Sequence, residues 1–310
     1  MFISGNKAIE YLKNSIKQND VGESSHWKKY NRNFAYNGKN FSGLEGFGGN
    51  TKYSYLKQIL STILQKKYFM MSKNFKNFTS FLKKARLIAK NQDRIFDLDF
   101  LRQAITLSFL EDKIGKCNST LVIGDGYASM TTLLIDSNFS SKIILINLNK
   151  QLMVDLFFIK KYLGEEKFNS SVALVTNEDD AKLLSNKTNS FSIIAIQAEN
   201  HSLVQHFDVD LVLNVVSMGE MNIGIVSEYF YDIRKLCRRN KNLYFYCCNR
   251  IEKKFPDGTV TKFSDYPWNK YDLILVDELC PWTQQYYSFI PPFYRNYDGP
   301  IIHQLRLMSK

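Results

Sequence analysis

Proline is missing from the first 255 of the 310 residues; all six prolines lie between Pro256 and Pro300. Helices in that long stretch therefore need not be kinked or broken. Apolar runs approaching the roughly 18 residues of a membrane-spanning helix are also missing. The opening MFISGNKAIEYLKN lacks the apolar stretch and small-residue cleavage site of a secretory signal. Cysteine is scarce and unpaired in pattern: Cys117, Cys237, Cys247, Cys248 and Cys280 are an odd number without a CxxC spacing. That argues against a disulfide framework and a zinc site, and for reduced thiols in a cytoplasmic protein.

Hydrophobic residues make up 45% of the chain and aromatics 14%, enough for one large domain or two modest ones. The formal charge is +11, which raises a nucleic-acid or membrane-surface reading. Its distribution narrows that reading. Residues 1–110 hold 19 Lys/Arg and 7 Asp/Glu, whereas residues 111–310 hold 22 and 23. The excess belongs to the first third alone.

Residues 6–19 carry Ile9, Leu12 and Ile16 at helical spacing. Residues 22–50 mix aromatics, Asn and Gly and predict an ordered loop, either packed on the core or lying over a binding cleft. From Thr51 to Lys116 the spacing predicts three helices. Tyr55, Ile59, Leu60 and Ile63 form the first apolar face; Phe78, Phe81, Leu82 and Ala85 the second; Phe100, Ile105 and Phe109 the third. The lysines between them read as solvated helical faces. A nucleic-acid groove would interleave basic residues with exposed aromatics, so nucleic acid is not the expected partner.

Beyond Cys117 the rhythm becomes strand, turn, helix. Seven β-rich runs stand out, at 120–123, 142–146, 192–196, 210–216, 243–248, 272–277 and 301–308, with helices expected at 127–135, 150–163 and 221–238. Residues 171–184 remain ambiguous between strand and helix. Short apolar runs alternating with helices predict a doubly wound, mostly parallel α/β sheet. Ligands bind such sheets beyond the carboxyl ends of the strands.

Two segments follow strand ends with chemistry-bearing residues. Gly124-Asp125-Gly126 closes the first strand and opens a helix, a turn in which backbone N–H groups can approach a nucleotide. About 20 residues on, the second strand ends in Ile146-Asn147-Leu148-Asn149, where a dinucleotide or S-adenosylmethionine site usually places an acid for the ribose. The other segment is DLVLNVVSMGEMN, residues 210–222. It places Asn214 near a strand end, Ser217 in a turn, and Glu220 before a helix, where it could accept a proton from a substrate hydroxyl or merely favour the helix dipole.

DLVLNVVSMGEMN, with Tyr229, Phe230 and Ile233 on the following helix, resembles the corresponding stretch of the bacterial sugar O-methyltransferases. Ile123-Gly124-Asp125-Gly126-Tyr127 is similar to that family's E-I-G-x-G-Y-G turn, and PPFYRNYDGPIIHQLRLM suits its last strand. The resemblance covers about residues 100–310. It implies a seven-stranded Rossmann-like methyltransferase domain over 111–310, behind a basic helical N-terminal cap over 1–110. It also implies S-adenosylmethionine as cofactor and a sugar or glycoconjugate hydroxyl as acceptor.

Carried onto this chain, the cofactor positions are Gly124, Asp125, Gly126, Tyr127, Asn147, Gln197, Glu199, Asn214 and Ser217. Glu220 and His26 are the candidate bases. Three positions depart from the pattern: Val122 and Asn147 stand where the family has acids, and Ala128 where it has glycine. Asp125 is the neighbouring group that could restore the lost charge. The alternative is a binding or structural protein that keeps the fold without the cofactor. His201 and His206 lack partners at metal-ligand spacing. Asp277-Glu278 ends the sixth strand, and Trp282, Tyr286 and Tyr287 suit either a sugar ring or a packed lid.

Overall fold

The long apolar runs form the middle of a nine-stranded sheet. A computed structural model describes residues 2–16, 20–38, 40–44, 53–186, 190–239 and 242–309. Its sheet strands are β1 (Ile3–Ser4), β2 (Ser119–Ile123), β3 (Lys142–Asn147), β4 (Val172–Val175), β5 (Ile193–Gln197), β6 (Leu211–Val215), β7 (Tyr244–Arg250), β8 (Leu273–Leu279) and β9 (Ile301–Leu307). They lie in the order β1-β4-β5-β3-β2-β6-β7-β9-β8. Strands β4 through β7 pair in parallel, whereas β1, β9 and β8 pair antiparallel with their neighbours. Two strands therefore exceed the seven expected. Val172–Val175 resolves the ambiguous segment: its four residues are all buried, and the Asn177 side chain accepts from Asp180 N at 2.9 Å to start the helix that follows.

Period-two alternation divides the sheet's side chains between two apolar layers. Val122, Ile143 and Leu145 face one core, and Leu121, Ile123, Ile144 and Ile146 face the other. The helices covering the sheet and forming the first third are α1 (Asn6–Asn14), α2 (Ser25–Tyr30), α3 (Tyr55–Leu64), α4 (Lys66–Ser72), α5 (Phe78–Asn91), α6 (Leu98–Ile114), α7 (Ser129–Asp136), α8 (Asn149–Leu163), α9 (Glu165–Ser171), α10 (Glu178–Ser185) and α11 (Ile223–Arg239). Helix α11 presents Val226, Tyr229, Phe230, Ile233 and Cys237 to one core at helical spacing.

The first third differs from expectation in three places. The polar, Gly-rich stretch 22–50 contains a helix, α2, begun by the Ser24 hydroxyl, and a small hairpin of Ala35–Tyr36 with Phe41–Ser42. Gly46, Gly48 and Gly49 lie outside the described residues. The segment 51–116 forms four helices. Phe78, Phe81, Leu82 and Ala85 are buried, as are Phe100, Ile105 and Phe109. Helix α3, however, is rolled the other way: Tyr55, Ile59 and Ile63 face solvent, while Ser61 and the following Gln65 are fully buried. Hydrogen bonds to the Phe96 backbone fix that roll.

Candidate active site

The carboxyl ends of β2, β3, β5 and β6 open on one cavity of about 340 Å³, where ligands sit in sheets of this kind. Its floor is the turn after β2. Gly124 and Gly126 have φ of +70° and +67°, and Tyr127 and Ala128 follow at +62° and +48°. Four left-handed residues in five make a tight reversal that favours glycine. At Gly124 a Cβ would stand 2.5 Å from Ser217 Oγ, whereas at Gly126 it would meet nothing within 4 Å. The turn thus packs one glycine against β6's turn and leaves the other as bare backbone in the cavity lining.

Two acids support this turn, one of them fully buried. Asp125 accepts from Met130 N at 2.9 Å and Thr131 N at 2.6 Å, capping α7. Asp155 on α8, fully buried, accepts from Ala128 N at 2.8 Å and from Asn147 Nδ2 at 2.8 Å. Burial raises the pKa of both carboxyls, and the charge of Asp125 raises Asp155 further. Val122 is buried in the apolar core, and Asp155 supplies an acid to the turn from the neighbouring helix instead. Asp155 was not singled out from the sequence. Its signal was an acid set among apolar residues, MVDLFF.

A second turn, after β6, forms the opposite wall. Asn214 does not line the cavity. It is fully buried and works as a strut, donating to Ile123 O at 2.9 Å and accepting from Met218 N at 3.0 Å and Asn249 Nδ2 at 2.8 Å. Ser217 lines the cavity and donates to Ile123 O at 2.8 Å. Between them Val216 has φ of +64°, a strained conformation for a β-branched residue. Such strain persists where surrounding bonds over-determine the backbone.

Glu220 ends this wall and faces the cavity. Burial pushes its carboxyl up to about 7, with Arg250 and Lys253 pulling the other way. Arg250 Nη1 lies 3.8 Å from Glu220 Oε1 while its Nε donates to Asp298 at 2.7 Å. His26 does not line the cavity. It sits behind, Nε2 3.6 Å from Glu220 Oε1, and burial, with Lys253 and Arg250 adding, lowers its pKa to about 4. The neighbouring Trp27 is the residue of α2 that reaches the lining, and the Ser24 hydroxyl donates to Glu220 O at 2.7 Å. The Gly-aromatic stretch therefore contributes one aromatic wall and a tether.

Other expected residues divide similarly. Gly124, Asp125, Gly126, Tyr127, Asn147, Glu199 and Ser217 are brought together around the cavity, whereas Gln197 lies in a small hollow beside it. His201 is also on the lining, held by Asp232 at 2.5 Å and Glu228 at 3.3 Å, and these carboxylates raise its pKa. The first third supplies Arg94, Asp99 and Arg102. The Arg94 guanidinium lies 4.4 Å from the Phe100 ring and 4.6 Å from Tyr127, favourable cation–π contacts. Arg102 donates to Tyr297 OH at 2.6 Å and Trp282 O at 2.9 Å, tying α6 to the C-terminal segment. Nothing in the sequence marked these arginines, because their partners lie up to about 195 residues away.

Asp277, Glu278, Tyr286 and Tyr287 are not on the cavity, and Trp282 is buried in the core beside His303. No protein-family model matches the chain, and no curated protein matches it. Among solved structures it is similar to an S-adenosylmethionine-dependent methyltransferase of Leishmania major, at 8% identity over 78% of this chain and 90% of that one, TM-score 0.42. It is also similar to TrmK of M. capricolum in complex with S-adenosyl-homocysteine, at 11% identity over 66% of this chain and 68% of the other, TM-score 0.36. A third is the glycopeptide N-methyltransferase MtfA, at 7% identity over 66% and 95%, TM-score 0.35. These likenesses are loose, and the functional reading rests on this chain's own strand order and cavity.

Proposed function

We propose that the chain is an S-adenosylmethionine-dependent O-methyltransferase acting on a hydroxyl of a sugar or glycoconjugate. The observation that carries this reading is the cavity itself. It joins the bare backbone of the Gly124–Gly126 turn to Asn147 and Glu199 on one side and Glu220 on the other. The unfilled space at Gly126 leaves backbone free to approach a bound group. Glu199 and Glu228 add carboxyl groups to the lining, and negative charge there favours a positively charged sulfonium.

S-adenosylmethionine would lie against Gly124, Gly126, Asn147 and Glu199 and supply an electrophilic methyl group. Asn147 has one amide hydrogen on Asp155, which leaves the other for a ribose hydroxyl. Glu220 takes the proton from the acceptor hydroxyl. A base with a pKa of about 7 is matched to neutral pH. His26 packs behind Glu220 without a hydrogen bond to it, and Arg250 keeps the carboxyl from drifting to a still higher pKa. Trp27 adds an aromatic side chain to the lining that suits a sugar ring. The contributions of Val21, Ser24, Trp27, Arg94 and Arg102 to the lining support reading residues 1–110 as a cap over the sheet's carboxyl edge.

Isothermal titration with S-adenosylmethionine and with its demethylated product tests the reading directly. Saturable binding of both is expected. A folded protein that binds neither at millimolar cofactor would overturn it and leave the cofactor-free alternative.

A further inference from the structure

The outward roll of α3 leaves an apolar stripe with no partner among the described residues. Leu56 is 77% exposed, Tyr55 70%, Ile63 62% and Ile59 42%, all within one side of the helix. Met70 and Met71 of α4 add to it at 56% and 43%. The roll is held in place from inside. Gln58 Oε1 accepts from Phe96 N at 2.9 Å, Ser61 Oγ donates to Phe96 O at 2.9 Å, and Gln65 Nε2 donates to the same carbonyl at 3.1 Å. Tyr294 OH donates to Leu64 O at 2.6 Å, so the C-terminal segment bearing exposed Ile290 and Phe293 abuts the same helix end. Turning the stripe inward would strand these buried polar groups, a cost of about 1–3 kcal/mol each.

Charge says what suits this surface. Residues 53–92 carry nine Lys or Arg and no Asp or Glu. Lys57, Lys66 and Lys73 are exposed on the same two helices or just beyond them. We propose that the outer face of α3 and α4 docks on the surface of a bilayer containing anionic phospholipid. Aliphatic side chains enter the boundary of the acyl region while the lysines meet the headgroups. A second copy would set two basic surfaces against each other, which charge opposes. Phosphates of a nucleic acid would satisfy the lysines but offer nothing to Leu56, Ile59 and Ile63. Helix α3 has only 10 residues, too few to cross a bilayer, so the proposed contact is one of a helix face lying along the surface. The proposal is independent of the methyl-transfer reading.

The test is sedimentation of the full chain with phosphatidylcholine vesicles, with and without about one third phosphatidylglycerol. Binding is expected only with the anionic lipid, and weaker as salt rises. The double variant L56D/I63D should lose at least about tenfold in affinity, since charge is costly below the headgroups. K66E/K73E should lose about fivefold or more per position. Thermal melts establish that both variants stay folded. Three results would each overturn the proposal: a folded wild type that stays in solution with anionic vesicles, equal binding by L56D/I63D, or self-association or nucleic-acid binding that competes the vesicles away.

Discussion

The sheet's carboxyl edge and the outer face of α3 depart from the usual partition of side chains in opposite directions. The first buries ionisable groups: Asp155 and Arg94 are drawn inside and held by a backbone amide and by aromatic rings. The second exposes apolar surface: Tyr55, Leu56 and Ile63 face solvent while Ser61 and Gln65 occupy the interior. Either departure has a free-energy cost. In both places the arrangement is fixed by hydrogen bonds to distant backbone, the turn after β2 in one and Phe96 in the other. The difference lies in what remains unmet. At the sheet edge it is a cavity into which carboxyl and guanidinium groups converge, and at α3 it is contact with another apolar phase.

Breaking the buried side of this comparison should have the largest effect. Glu220→Gln keeps the shape and removes the base, so turnover with a methyl acceptor should fall about 10²–10⁴-fold. Cofactor binding by titration should change little. The wild-type rate should rise with pH through about 7, where Glu220 loses its proton, and the variant's profile should be flat in that range. The stability sign is opposite. The folded-state pKa of Glu220 is raised, so its contribution is fully present below the unfolded-state value and is lost as pH rises through about 7. Denaturant melts of wild type and variant across pH 4–8 would separate the two effects.

Gly124→Ala comes next. Its Cβ would meet Ser217 Oγ at 2.5 Å, and a side chain at φ +70° costs more. A loss of about 1–3 kcal/mol is expected in denaturant melts, together with cofactor affinity. Asp155→Ala leaves the Ala128 N–H without its acceptor and removes a carboxyl that is costly to ionise. The two effects partly cancel, and a loss of about 1–2 kcal/mol is expected. The smallest effect belongs to the exposed side: Leu56→Ser should move stability in solution by no more than about 0.5 kcal/mol. A loss of several kcal/mol there would show that α3 is packed, and would end the contrast between the regions.

Much of the sheet was legible because its strands are continuous apolar runs bounded by turns, a signal that survives without knowledge of neighbours. KIILI and SIIAI could be little else. The short VALV run was ambiguous because four apolar residues suit a strand or a helix equally. The turn after β2 and the wall ending in Glu220 were also visible, since glycine and a strand-end acid announce themselves locally. His26 and Asn214 were visible as residue types but not as positions: one lies behind Glu220 and the other braces the turn. Arg102 was not legible, because its partners Trp282 and Tyr297 are remote in sequence, and the roles of Arg94 and Asp155 emerge only once the turn after β2 is folded against them.

By itself the sequence determined seven of the sheet's strands and the helices between them, that the middle of the sheet is buried on both faces, and that the excess positive charge sits in the first third. Periodicity and composition are local properties, and those follow from them. Only the tertiary structure decided which face of α3 points inward, which acid braces the glycine turn, and which side chains meet at the cavity. Those outcomes depend on hydrogen bonds between groups far apart in the chain. A buried Ser or Gln with a fixed backbone partner can outweigh an apolar stripe that the local pattern would have placed inside.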